Sequence, residues 1–131
     1  MKMRSMFLLG IALALSHCPL AFAEPLTTVH REIHYLLDFV EISGCELYRN
    51  GTWYDSVKAQ EHLRIKYEYL AARNRLATAE DFIELAASRS SLSGLPYEIR
   101  CGVCTTHYTG EWLTGVLERY RTVTARSLRQ E

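Results

Sequence analysis

The sequence predicts an α+β fold: a single small domain in which a β-hairpin and one further antiparallel strand pack against about four helices, in the order α-β-β-α-α-β-α. Three observations carry this. Apolar residues recur at helical spacing in separate stretches, with Val29, Ile33, Leu36, Leu37 and Val40 forming the clearest stripe. Asn50-Gly51 lies between two alternating runs, and this pair adopts the two positive φ angles of a hairpin turn at little cost. Tyr97, Ile99 and Cys101 alternate with Glu98 and Arg100, as in a strand with one buried face.

The domain follows an export signal. Lys2 and Arg4 precede the apolar run Phe7 to Leu15, and Ala21-Phe22-Ala23 precedes Glu24. A charged start, a short apolar middle and small residues two apart describe a secretory signal peptide, here spanning 1–23 with cleavage after Ala23. The apolar run is shorter than the roughly 20 residues a membrane-spanning helix needs. A lipoprotein signal at Cys18 fits less well, because His17 is bulky for the position before the cysteine. Residues 24–131 then form the domain, 108 of the 131 residues. Losing Lys2 and Arg4 leaves 13 basic against 15 acidic residues, and no like-charged tract remains. The electrostatic footprint of a nucleic-acid binder is therefore missing.

In chain order, Thr27 or Thr28 caps a first helix that runs to about Ser43 and stops at Gly44. Cys45 to Tyr54 breaks the helical period: Leu47, Arg49, Thr52 and Tyr54 alternate with Glu46, Tyr48 and Trp53. Asp55 or Ser56 caps a second helix to about Arg73, with Ala59, Leu63, Tyr67 and Leu70 inward and Ile65 and Tyr69 as a half-covered edge. Thr78 with Asp81 resembles a capping box and opens a third helix to about Ser88. A serine-rich loop leads to the third strand, and Gly102 to Tyr108 reads as irregular. Thr109 caps the last helix, in which Trp112, Leu113, Val116, Leu117 and Tyr120 share a face and which loosens beyond Thr122.

The cysteines left after cleavage are Cys45, Cys101 and Cys104, in a compartment where disulfides persist. Pairing Cys45 with Cys101 would staple the start of the hairpin to the end of the third strand. By the chain-entropy model a loop of about 57 residues is worth roughly 4 kcal/mol. Cys104 would then be left over, or would itself be the partner of Cys45. Alternatively Cys101-Gly-Val-Cys104 is a redox pair, although Thr105 to Tyr108 separates it from any helix start and no βαβ pattern surrounds it. Cys101, Cys104 and His107, with Cys45 as a fourth ligand, have tolerable zinc spacing, and His30, His34 and Asp38 lie one helical turn apart. Exported thiols tend to oxidise and the histidines suit a solvated helix flank, so neither a metal nor a cofactor is expected.

Arg49, His62, Arg64 and Lys66 form the remaining polar set. Arg49 precedes the second helix, and His62 and Lys66 are one turn apart on it. They suit a pocket for a carboxylate, phosphate or acidic glycan, or, as is commoner for such sets, salt bridges to Glu46, Glu61 or Glu84 with His62 half-buried. Ser88, Ser90, Ser91 and Ser93 with Gly94 could form a backbone nest for an anion, or simply cap a helix and turn the chain. The aromatics of the hairpin side suit either a binding surface or the core.

Several segments together resemble the YfeK-like family of small exported bacterial proteins: Arg49-Asn-Gly51, His62-Leu-Arg64 with Lys66, Arg73-Asn-Arg75, Thr78-Ala-Glu80 with Phe82-Ile83, Ala87-Ser88, Ser90-Ser91, Ser93-Gly94 and Pro96-Tyr97. The resemblance is strongest from Arg49 to Arg100, and Cys101-Gly-Val-Cys104 stands outside its shared pattern. It implies an exported, periplasmic domain of unknown function and supplies no catalytic residues.

The expected function is therefore that of a non-enzymatic periplasmic domain binding a protein partner or a small anionic ligand through Arg49, His62, Arg64 and Lys66. No nucleic acid is involved, and nothing inserts in the membrane after signal cleavage. One alternative is a thiol-disulfide or redox-sensing protein using Cys101 and Cys104. Another is a small hydrolase pairing a loop serine with His62 or His107, although no Gly-x-Ser-x-Gly elbow is present.

Overall fold

The computed structural model describes residues 26–103 and 105–131. The signal segment 1–23, its cleavage point and Cys104 lie outside the described residues.

Helix α1 (Leu26–Ile42) buries the whole stripe from Val29 to Val40. It already contains Thr27 and Thr28, so neither caps it. The chain then turns through Gly44 at φ +66°, in the left-handed region that glycine enters freely. Strands β1 (Glu46–Arg49) and β2 (Thr52–Tyr54) form the hairpin, with Arg49 opposite Thr52 across Asn50 (φ 47°) and Gly51 (φ 89°). Helix α2 (Ser56–Ala71) is capped by Asp55, whose carboxylate accepts from the Lys58 amide at 2.9 Å. It buries Ala59, Leu63, Tyr67 and Leu70, while Ile65 and Tyr69, expected half-covered, are exposed.

Thr78 and Asp81 form the reciprocal capping box that opens α3 (Ala79–Phe82). The helix does not continue as α to Ser88: it widens into a π-helical turn over Ile83–Ala87, and the Ser88 hydroxyl donates to the Ile83 carbonyl at 2.7 Å. After the serine loop come β3 (Glu98–Arg100), then β4 (Thr106–Tyr108), then α4 (Thr109–Ser127).

The sheet is antiparallel with strand order β2-β1-β3-β4. Among the described residues four strands stand where three were expected, and β4 occupies part of the stretch read as irregular. Its three residues are all exposed, so it has no apolar alternation to read. Two further corrections fall on α4. Thr109 begins the helix instead of capping it, with Tyr108 in the capping position, and the helix runs past Thr122 to Ser127.

Leu47 and Ile99 are paired across β1 and β3 and face the helices. There they join Leu63, Phe82, Leu113 and Leu117 in one core. The same register pairs Glu46 with Arg100 and so sets Cys45 opposite Cys101; the two are bonded, with an S–S distance of 1.99 Å. Arg121 of α4 clasps the helices together. It donates twice to the buried Glu32 of α1, at 2.7 and 2.8 Å, and reaches Glu80 of α3. Among the described residues no helix is long and apolar enough to cross a membrane.

Candidate functional site

Strand alternation puts Arg49 on the same face as Leu47, the face that α2 covers. Arg49 therefore points off the end of β1 towards α2. There its guanidinium makes a short hydrogen bond to Nδ1 of His62. A guanidinium only donates, so Nδ1 must accept and the proton sits on Nε2. Nε2 then donates to the Tyr97 hydroxyl at 3.1 Å. Lys66, one turn beyond His62, donates to the same hydroxyl at 3.4 Å and to the Arg89 carbonyl at 3.1 Å. Its ammonium also lies 5.0 Å from the centre of the Tyr97 ring.

The serine loop closes the other side. Ser90 is buried, and its hydroxyl oxygen accepts from the amides of Leu92 and Ser93 and from the Asn50 side chain, the last at 3.1 Å. The Ser93 hydroxyl donates back to the side-chain Oδ1 of Asn50 at 2.7 Å. Asn50 thus both shapes the hairpin turn and ties it to the loop. These elements enclose a cleft of about 190 Å³, lined by Arg49, His62, Lys66, Tyr97 and the loop 90–92.

The electrostatics of the cleft follow from its charges. Among the described residues no carboxylate lines it. Among the described residues neither Arg49 nor Lys66 forms a salt bridge, and Arg49 Nε is buried without a hydrogen-bond partner. The acids that might have neutralised them are engaged elsewhere or do not reach them: Glu46 pairs with Arg100 at 2.7 Å and Glu84 with Arg89 at 3.8 Å. Burial, then the charges of Arg49 and Lys66, hold the His62 pKa down at about 4, so the ring is neutral at pH 7. Burial and Arg49 bring Lys66 down to about 8. Burial raises the Tyr97 phenol, against the opposing pull of Arg49 and a hydrogen bond with Ser90.

Of the residues singled out from the sequence, Arg49, His62 and Lys66 come together here. Arg64 does not. Two residues along a helix is about 200° of rotation, which turns Arg64 to solvent, where it pairs with Glu68 at 2.8 Å. Sequence reasoning missed Asn50 and Tyr97 as site residues. The first was read as a turn former, and the second as a strand residue and one of the hairpin-side aromatics that suit either a binding surface or the core.

The other candidate groups stand apart from the cleft. His30 hydrogen bonds the Tyr67 hydroxyl at 2.6 Å, and His34 packs edge-on against the same ring. Among the described residues no cluster of histidine, cysteine and acidic side chains could hold a metal ion. Cys101, bonded to Cys45, cannot at the same time be paired with Cys104. Both ring nitrogens of His62 are taken by Arg49 and Tyr97, and no serine oxygen among the described residues bonds a histidine.

Fold and cleft together define a small disulfide-stapled α+β domain with an unneutralised cationic cleft. The chain belongs to the family of unknown function DUF5329, whose family model matches residues 27–121. It is also 47% identical over 49 residues to the uncharacterized protein YfeK of Salmonella typhimurium. That match covers 37% of this chain and 39% of the relative, so the chain matches about two fifths of that protein's length. No solved structure matches the chain.

Proposed function

We propose that this chain is an exported, non-enzymatic domain that binds a small anion, with Arg49 and Lys66 as its charged contacts. The observation that carries this reading is the pair of cations converging on one cleft with no carboxylate among the described residues to neutralise them. Folding alone gives no reason to hold a guanidinium, an ammonium and a neutral imidazole together at a cost to two of them. A bound oxyanion would relieve that cost through charge-assisted hydrogen bonds. His62 would then serve as a positioning residue that fixes the guanidinium, and Tyr97 would set the height of Lys66. The Cys45–Cys101 bond fits an oxidising periplasm.

The test is titration of the folded domain with phosphate and with acetate, followed by amide and imidazole NMR shifts. Binding should shift the signals of Arg49, His62 and Lys66 and raise the His62 pKa from about 4 towards its ordinary 6.5. Lys66→Met and Arg49→Ala should each weaken binding about tenfold or more, as expected for a lost charged hydrogen bond of about 1.5–3 kcal/mol. Unchanged shifts at these residues with every anion would sink the reading. Export is tested separately: the protein recovered from the periplasm should begin at Glu24.

A further inference from the structure

We propose that the ligand is an amphiphilic anion, with an oxyanion head between Arg49 and Lys66 and a short acyl chain or single ring lying past Arg49 and His62 on Leu47, Ala59 and Ile65. This rests on the anion-binding reading above and adds the rest of the molecule.

A second cleft, of about 220 Å³, adjoins the first, and Arg49 and His62 line both. The pair is thus a shared wall, with a cationic chamber on one side and a mainly apolar one on the other. Buried Leu47 and Ala59 form part of the second chamber. Tyr54 lies beside them, its ring centre 5.1 Å from the Arg49 guanidinium carbon. Ile65 forms another wall, and it is 56% exposed although it stands on a helix whose other face is well packed. A ligand methylene placed there would remove that surface from water.

Charge fixes which end goes where. Glu61 lines the apolar chamber and offsets the charge of Lys58 there, whereas among the described residues no acid lines the chamber that holds Lys66 and Arg49. The head must therefore take the Lys66 side and the tail the Ile65 side. Size fixes the tail: 220 Å³ is the space of about seven waters at about 30 Å³ each. That suits one ring or a short chain and is too little for a full lipid acyl chain.

The experiment measures dissociation constants for acetate, butyrate, hexanoate and dodecanoate on the intact domain by NMR titration. Affinity should rise about two- to fourfold per methylene from acetate to hexanoate, as expected for partial to full burial of each, and gain nothing further at dodecanoate. Ile65→Ser, at an exposed position that folding does not need, should bring hexanoate close to acetate. Equal affinity for acetate and hexanoate would overturn the amphiphile while leaving the anion site standing. Binding that keeps strengthening to dodecanoate would also overturn it, in favour of an open lipid surface. If no carboxylate and no phosphate perturbs Arg49 or Lys66, the anion site itself fails and this inference with it.

Discussion

His62 shows how much of the cleft rests on a single tautomer. Its Nδ1 accepts from Arg49 and its Nε2 donates to Tyr97, so only the neutral ring satisfies both. Burial disfavours the charged ring, and protonation would also set an imidazolium against a guanidinium and an ammonium, which is why the folded pKa lies at about 4 against an ordinary 6.5. Between those values the unfolded chain binds more protons than the folded one. Stability is therefore full above about pH 6.5, declines as pH falls towards 4, and levels off below. The decline from this group is at most about 3 kcal/mol, and less once solvent at the open side of the cleft screens it. His62→Gln, with an amide in place of the imidazole, should flatten that part of the curve when urea unfolding is compared at pH 7 and pH 4.5. An equally steep decline in the variant would place the titrating group elsewhere. His62 and Lys66 were legible as a pair because helical spacing is regular. The partner that joins them, Tyr97, is 31 residues beyond Lys66 in sequence, and no local pattern announces it.

Elements announced themselves in proportion to their apolar periodicity. Helix α1, the α2 stripe, the Asn50-Gly51 turn and the capping box at Thr78 all lie where residue spacing placed them. β4 is edge backbone with three exposed side chains, recognisable only by its ladder to β3. The π-helical turn at Ile83–Ala87 is likewise invisible to an apolar pattern, since it changes the winding and leaves the composition alone. It ends at Ser88, which lies against the first turn of α4. A Cβ built on Gly110 would stand 2.4 Å from the Ser88 hydroxyl oxygen, so that helix approach needs glycine. The hydroxyl cannot rotate away freely because it donates to the Ile83 carbonyl. Gly110→Ala should therefore cost about 1–3 kcal/mol by overpacking, read as a shift in the denaturation midpoint. Adding Ser88→Ala should recover part of the loss, because it removes the closest atom. A neutral Gly110→Ala would mean that the π turn and α4 are free to separate.

The molecule is held by a staple and a clasp joining parts far apart in sequence. The Cys45–Cys101 bond spans 56 residues and contains the whole hairpin, α2, α3 and the serine loop within its ring. Replacing both cysteines by alanine should cost about 4 kcal/mol by loop entropy, within the usual 2–5 kcal/mol for small secreted domains. Guanidinium unfolding of the oxidised and substituted proteins measures this directly. A loss under about 1 kcal/mol would mean that the β1–β3 ladder already confines the unfolded chain. The ring also contains Arg49, His62, Lys66, Ser90 and Tyr97, so the staple limits how far the walls of the cleft can part. Arg121 performs the same service for the helices: it neutralises a glutamate that α1 buries, and so ties α4 back to the start of the domain.

By itself the sequence determined the α+β class, the hairpin and the inward faces of the helices. These depend on spacings of two to four residues and on the left-handed tolerance of Gly and Asn, and such short-range rules are written locally. Only the tertiary structure decided which of the marked cations share a cleft. Arg49 is brought in by strand register, Arg64 is turned out by helical rotation, and Asn50 and Tyr97 are recruited by the packing of a loop and a strand distant in sequence. It alone also decided that Arg49 and Lys66 form no salt bridge among the described residues, because whether a charge is neutralised depends on which acids the fold brings within reach.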